Sequence, residues 1–142
     1  MTEKKNLSIL KFALGLFAAV ALVYGLGLVF FTEKLIEMSG TPAFEPNWIR
    51  WAGGTLFGLG IGALFALRNP GNQSVFIIAI GLGTLFTGLA LLYQLLFDWQ
   101  ADYNVPFTAV PCALNLAMSV LLWLGKAQAK QILNQNRQEP TS

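Results

Sequence analysis

Charge vanishes from this chain for long intervals and returns in short clusters. Four windows contain no Asp, Glu, Lys or Arg: 12–32, 51–67, 69–97 and 103–125. A helix crosses the hydrocarbon core of a bilayer with ~20 apolar residues, and ~17–25 are tolerated. Each window therefore predicts one spanning helix, over roughly 7–31, 48–67, 74–97 and 105–125. The second window is the shortest, but Arg50 and Arg68 flank it and can direct their charged ends outward along their aliphatic stems. The fold class predicted is an all-α integral membrane bundle of four transmembrane helices. A chain of 142 residues fills one such bundle and has no room for a second domain.

The connections carry their own signals. Arg68-Asn69-Pro70-Gly71-Asn72 reads as a tight turn, with Pro presetting φ and Gly accepting positive φ after it. It predicts an antiparallel hairpin of the second and third helices. The longest connection, about 32–47, begins Thr32-Glu33-Lys34-Leu35-Ile36-Glu37-Met38. That mixture of apolar and charged residues fits a short interfacial helix stopped by Gly40. Pro42 and Pro46 then hold an extended approach to the second helix. Such a loop either lies on the headgroups or covers an outer-facing cavity. Gly-Thr-Leu-Phe occurs at 54–57 and again at 83–86, but the similarity stops after four residues and marks no repeat.

Charge decides the expected orientation. Lys4, Lys5, Lys11, Arg68, Lys126, Lys130 and Arg137 fall on one side of the four spans, and only Lys34 and Arg50 on the other. Short loops rich in Lys and Arg stay in the cytoplasm, so seven against two places both termini there. Trp48, Trp51, Trp99 and Tyr103 fall at the expected outer helix ends and Trp123 at an inner one, as interfacial anchors do. Lys4, Lys5 and Lys11 before an apolar run, with Ala19-Val20-Ala21, resemble a signal peptide. The run continues to Phe31, so a retained first helix is expected. The sequons at Asn6 and Asn72 lie on the cytoplasmic side and are expected to be unmodified.

Composition narrows the chemistry. Charged residues are 11% and hydrophobic residues 55% of the chain, where a soluble domain carries roughly 25% charge. There is no histidine, and the single cysteine, Cys112, excludes an intrachain disulfide. Without histidine or any carboxylate in a span, the usual parts of acid–base catalysis, proton relays and metal sites are missing. Cys112 reads as a small buried hydrophobe. No catalytic residue, metal site or cofactor is indicated, and no nucleic-acid partner is expected.

Small and neutral polar residues remain. Gly54, Gly58, Gly62 and Ala66 recur every four residues on the second helix, and Ala109, Ala113 and Ala117 do so on the fourth. Such stripes let two backbones approach closely where lipid provides no hydrophobic drive. Their partner is either a helix of the same chain or one of a second protein. On the fourth helix Pro111 removes the hydrogen bond to the Phe107 carbonyl, and one turn later Asn115 sits near mid-membrane. Pro111 and Asn115 either glue two helices at a kink or line a small polar cavity. Tyr24 and Gln94, at similar outer depth to Thr108, together with Asn47 and Arg50, are candidates for one pocket facing outward. Arg50 alternatively sits in the headgroups, paired with Glu45 or phosphate.

The second helix opens Asn47-Trp48-Ile49-Arg50-Trp51-Ala52-Gly53-Gly54 and continues Phe57-Gly58-Leu59-Gly60. This Asn-x-x-Arg-x-x-Gly-Gly opening, set after one helix and a Pro-containing loop, resembles a bacterial family of small four-helix membrane proteins catalogued as a domain of unknown function. The resemblance spans roughly 10–123 and implies a four-helix fold in a bacterial inner membrane, with Asn47 and Arg50 of interest. The leading expectation is a non-enzymatic accessory or assembly subunit, in contact with the bilayer and with either a membrane-protein partner or further copies of itself as a homo-oligomer. The alternative is binding or translocation of a small apolar or amphipathic molecule through an outer-facing pocket.

Overall fold

The computed structural model describes residues 7–41, 46–97 and 104–135, with side chains as far as Ala129. Its helices are α1 (Ser8–Phe30), α2 (Thr32–Ser39), α3 (Asn47–Arg68), α4 (Ser74–Phe97) and α5 (Val105–Gln135). All except α2 are long and apolar enough to cross a membrane. The protein is an all-α bundle of four transmembrane helices, and there is no strand among the described residues. Large apolar side chains such as Val23, Phe30, Phe65 and Phe86 project outward, as lipid contact requires. Lys4, Lys5, Glu45, Asp98, Trp99, Asp102, Tyr103 and Arg137, as well as Pro42 and the Asn6 sequon, lie outside the described residues.

Chain order and spatial order differ. α1 lies most extensively against α3, α4 against α5, and the two pairs join through α1 and α5. α3 and α4 follow one another through a tight connection yet scarcely meet. Their contact is near that connection, where the Phe76 ring lies 2.8 Å from where a Cβ at Gly62 would stand. The expected hairpin is therefore joined in sequence but not zipped along its length. The turn itself is a 3₁₀ segment, Pro70–Asn72. Gly71 does not adopt the expected positive φ; among the described residues only Gly40 does, at 73°. Consecutive 3₁₀ residues close the turn by themselves, and the Gln73 N–H donates to the Pro70 carbonyl at 3.3 Å.

The interior is uneven. Leu10, Ala13, Leu14 and Phe17 of α1 meet Ala63 and Ala66 of α3, Ile77 and Ile80 of α4, and Met118, Leu122 and Ala129 of α5 in one buried cluster. The cluster continues along α1 through Ala18 and Ala21, but most of its members belong to the half of the bundle that holds the α3–α4 turn. Helix α5 does not end at Gly125 but continues to Gln135. Gly125 instead provides a close crossing, since a Cβ there would meet the Leu10 backbone at 2.7 Å.

Two further crossings hold the pairs. At Gly25 a Cβ would strike Phe57 N at 2.8 Å and Gly53 O at 2.9 Å, so α1 and α3 touch backbone to backbone. At Gly88 a Cβ would meet Leu116 at 2.7 Å, joining α4 to α5. Two hydrogen bonds reinforce the latter pair: Ser119 Oγ donates to Gly81 O at 3.1 Å and Cys112 Sγ to Gly88 O at 3.4 Å. Cys112 is buried and unpaired with any other thiol.

Helix α2 acts as a strap across the end opposite the α3–α4 turn. Its first residue, Thr32, is buried and turns its hydroxyl back to the Leu28 carbonyl of α1. Its far end is held by the residue that precedes α5: Asn104 N donates to Ser39 O at 2.9 Å and Asn104 Nδ2 to Met38 O at 3.2 Å. Gly40, in the left-handed conformation, ends the helix. The short helix expected from the loop pattern is thus present and spans from the α1 end to the α5 start.

Candidate functional site

Beyond the more densely buried half, the two helix pairs line a partly open cavity of about 310 Å³, with Tyr24, Thr87 and Leu114 of its wall exposed. Its walls come from all four spanning helices. α1 contributes Phe17, Val20, Ala21, Tyr24 and Leu28; α3 contributes Leu56; α4 contributes Thr87 and Leu91. α5 contributes Phe107, Pro111, Leu114, Asn115 and Met118. Ligand sites are typically concave, mostly apolar and ~300–1,000 Å³, with a few convergent polar groups. This one fits that description at the small end.

The polar groups have distinct circumstances. Asn115 Nδ2 donates to the Pro111 carbonyl at 2.8 Å, one turn back on the same helix. The proline turn and the amide are therefore coupled, and the side-chain oxygen of Asn115 takes no partner among the described residues. Pro111 has no N–H to offer the Phe107 carbonyl, and Phe107 and Pro111 both line the cavity. Thr32, Thr55 and Thr84 each return their hydroxyl to a carbonyl four residues earlier. The hydroxyls of Thr87 and Tyr24, both on exposed residues, take no side-chain partner among the described residues. No buried side-chain nitrogen or oxygen lacks a partner among the described residues, so the unpartnered atoms are those with open space before them.

Several residues expected at one pocket are separated. Tyr24 and Asn115 line the cavity, while Arg50, Asn47 and Gln94 do not. Arg50 Nη2 pairs with Glu33 Oε1 of α2 at 3.2 Å, with both side chains substantially exposed. The reason is reach: Arg50 sits in the first turn of α3, level with the strap, and the strap offers a carboxylate closer than the interior. Asn47 belongs instead to a shallow surface depression shared with Trp48 and Trp51. Those two indoles stack edge to face at 5.8 Å, outside the bundle. Thr108 is buried on α5 and takes no part in the cavity wall.

The small-residue stripes also fall differently from the pattern. At Gly54 and Gly58 an added Cβ would have nothing within 4 Å, so both face open space. Of the second-helix stripe, Gly62 meets Phe76 and Ala66 is buried. On α5, Ala109 is half-buried, while Ala113 and Ala117 are exposed. The intramolecular seam of α3 runs through Gly53, Gly60 and Ala63, which are buried. Adjacent helix positions differ by ~100°, and α3 is glycine-rich on two faces, so spacing alone could not select the face that meets α1.

Phe17, Thr87, Leu91, Leu114 and Met118 were not legible as site residues. All are ordinary apolar or hydroxyl side chains of a membrane helix, and only the docking of the two helix pairs sets them around one space. Comparison with models of protein families, with curated proteins and with solved structures finds no match to this chain.

Proposed function

We propose that this protein is a non-enzymatic, multi-pass membrane protein that binds a small apolar or amphipathic molecule in the cavity between its helix pairs. The observation that carries the reading is an apolar cavity of about 310 Å³ into which Tyr24, Thr87 and Asn115 converge. Helix α2 crosses the nearer end of the bundle, so access along the axis is obstructed. The sparse contact between α3 and α4 beyond Phe76 supports access from the side, out of the lipid. The charge distribution supports an orientation with both termini cytoplasmic and the cavity in the outer leaflet half. The opening of α3 supports the bacterial cytoplasmic membrane as its location.

Purification from native membranes in a mild detergent, followed by organic extraction and mass spectrometry, tests this. A stoichiometric small hydrophobe is expected, and a cavity-filling Thr87→Trp variant should lose it. Wild-type protein that carries no such molecule would count against the reading.

A second reading is favoured by a separate observation. Gly54 and Gly58 present a smooth, unoccupied face on α3, and such faces suit close helix contact in lipid. On this reading the protein is a subunit of a homo-oligomer or of an assembly with another membrane protein. Gly58→Leu would then reduce the size of the detergent-solubilised particle while leaving the monomer folded.

A further inference from the structure

The cavity-binding reading leaves the chemistry of the guest open, and the polar atoms of the wall narrow it. We infer that the occupant is an uncharged, single-chain amphiphile whose polar end carries an O–H or N–H donor, and that this end lies at Asn115, toward the middle of the membrane, rather than at the headgroups. The inference rests on the proposed binding function and specifies its ligand class.

Charge is the first discriminator. No Lys, Arg, Asp or Glu lines the cavity, and Arg50, the nearest cation in the sequence of α3, is engaged with Glu33 outside it. A carboxylate or phosphate brought there would lose hydration without gaining a counter-charge, which strongly disfavours it. Hydrogen-bond polarity is the second. The Asn115 amide nitrogen is already committed to Pro111 O, which leaves the side-chain oxygen as the acceptor facing a guest. The Phe107 carbonyl has lost its helical donor to Pro111. The hydroxyls of Tyr24 and Thr87 can donate or accept. The two groups at the Asn115 end, its side-chain oxygen and the Phe107 carbonyl, are acceptors only, so that end favours a guest that brings a donor, which an alcohol or primary amide has and an alkane, ester or ketone lacks.

Size is the third discriminator. A cavity of about 310 Å³ stands at the small end of ligand sites, which suits a single short chain rather than a whole diacyl lipid. The membrane supplies the guest sideways, and the polar end moves inward because the acceptors are there.

Photo-labelling tests the inference. Full-length protein in detergent micelles is irradiated with a ten-carbon alcohol bearing a chain diazirine, and the labelled residues are mapped by mass spectrometry. Labelling is then competed with 1-decanol, decane, methyl decanoate or decanoate at equal mole fraction in the micelle. The expected result is label on cavity residues such as Phe17 or Met118, with 1-decanol competing at least tenfold better than the other three. Thr87→Val retains the fold and should weaken the alcohol only. Asn115→Leu, checked for folding by thermal unfolding, should bring the alcohol down to the level of the alkane. Equal competition by alcohol and alkane would overturn the polar recognition while leaving the cavity a binding site. Stronger competition by decanoate would overturn the requirement for neutrality. Absence of label from the cavity would overturn both the inference and the binding function on which it rests.

Discussion

Gly125 of α5 rests on the backbone of Leu10 in α1: a Cβ at position 125 would stand 2.7 Å from both the Leu10 nitrogen and its Cα. Backbone atoms cannot swing aside as a side-chain tip can, so one methyl group must push the two helices apart. Gly125→Ala is expected to destabilise the bundle by ~1–3 kcal/mol, the usual cost of overpacking. Gly83→Ala, with nothing within 4 Å, should be neutral or stabilising by up to ~1 kcal/mol through helix propensity. Thermal unfolding of both variants in one detergent checks the contrast, and equal shifts would contradict the crossing.

The same logic separates the two glycine faces of the first helix pair. Gly25→Ala should loosen α1 from α3, because its Cβ would meet Phe57 N and Gly53 O at under 3.0 Å. Gly54→Ala should leave stability within ~0.5 kcal/mol, as substitutions remote from special features do. Should Gly54→Ala prove as harmful as Gly25→Ala in a dispersed monomer, the seam with α1 runs along the other face of α3.

Ser119 Oγ bonds Gly81 O across α4 and α5, and the serine is buried. In membranes such interhelical bonds average ~0.6 kcal/mol, with a maximum near ~1.7. Ser119→Ala is expected to lose an amount in that range. Cys112→Ala should lose less hydrogen-bond energy, since its thiol is a weak donor to Gly88 O at 3.4 Å. Unfolding in mixed micelles, followed by circular dichroism, orders the two.

The Arg50–Glu33 pair ties α3 to the strap at 3.2 Å, with side-chain exposures of 46% and 80%. Exposed pairs are worth about 0–1 kcal/mol and weaken with salt. A double-mutant cycle with Arg50→Ala and Glu33→Ala should return a coupling below about 1 kcal/mol that shrinks at higher ionic strength. Arg50→Ala should also leave occupancy of the cavity unchanged, because the arginine does not line it. Loss of the bound molecule in Arg50→Ala would return that residue to the site.

Much of the fold was legible because the bilayer makes one demand that sequence states directly. Backbone polar groups must be satisfied within each spanning segment, and charge-free runs of sufficient length leave helices as the answer. The α2 strap was legible for a related reason: its charges recur among apolar residues and Gly40 closes it. The candidate site was legible at Tyr24 and Asn115, conspicuous as polar residues in apolar helices, and at Pro111, conspicuous as a proline inside one. Arg50, Asn47 and Gln94 were equally conspicuous but stand elsewhere, because depth along a helix does not specify the direction in which a side chain points.

What the sequence determined by itself was therefore the solvent and the elements: four helices long and apolar enough to cross a membrane, the short connecting helix, and long windows without charge. The tertiary structure alone decided which faces meet. It placed α1 between α3 and α5, turned Gly53 and Gly60 inward and Gly54 and Gly58 outward, and filled one half of the bundle while leaving a cavity in the other. The physical reason is that hydrophobicity is uniform around a membrane helix, so it carries no direction. Direction comes from the fit of small residues to particular neighbours, and that fit exists only once the helices are docked.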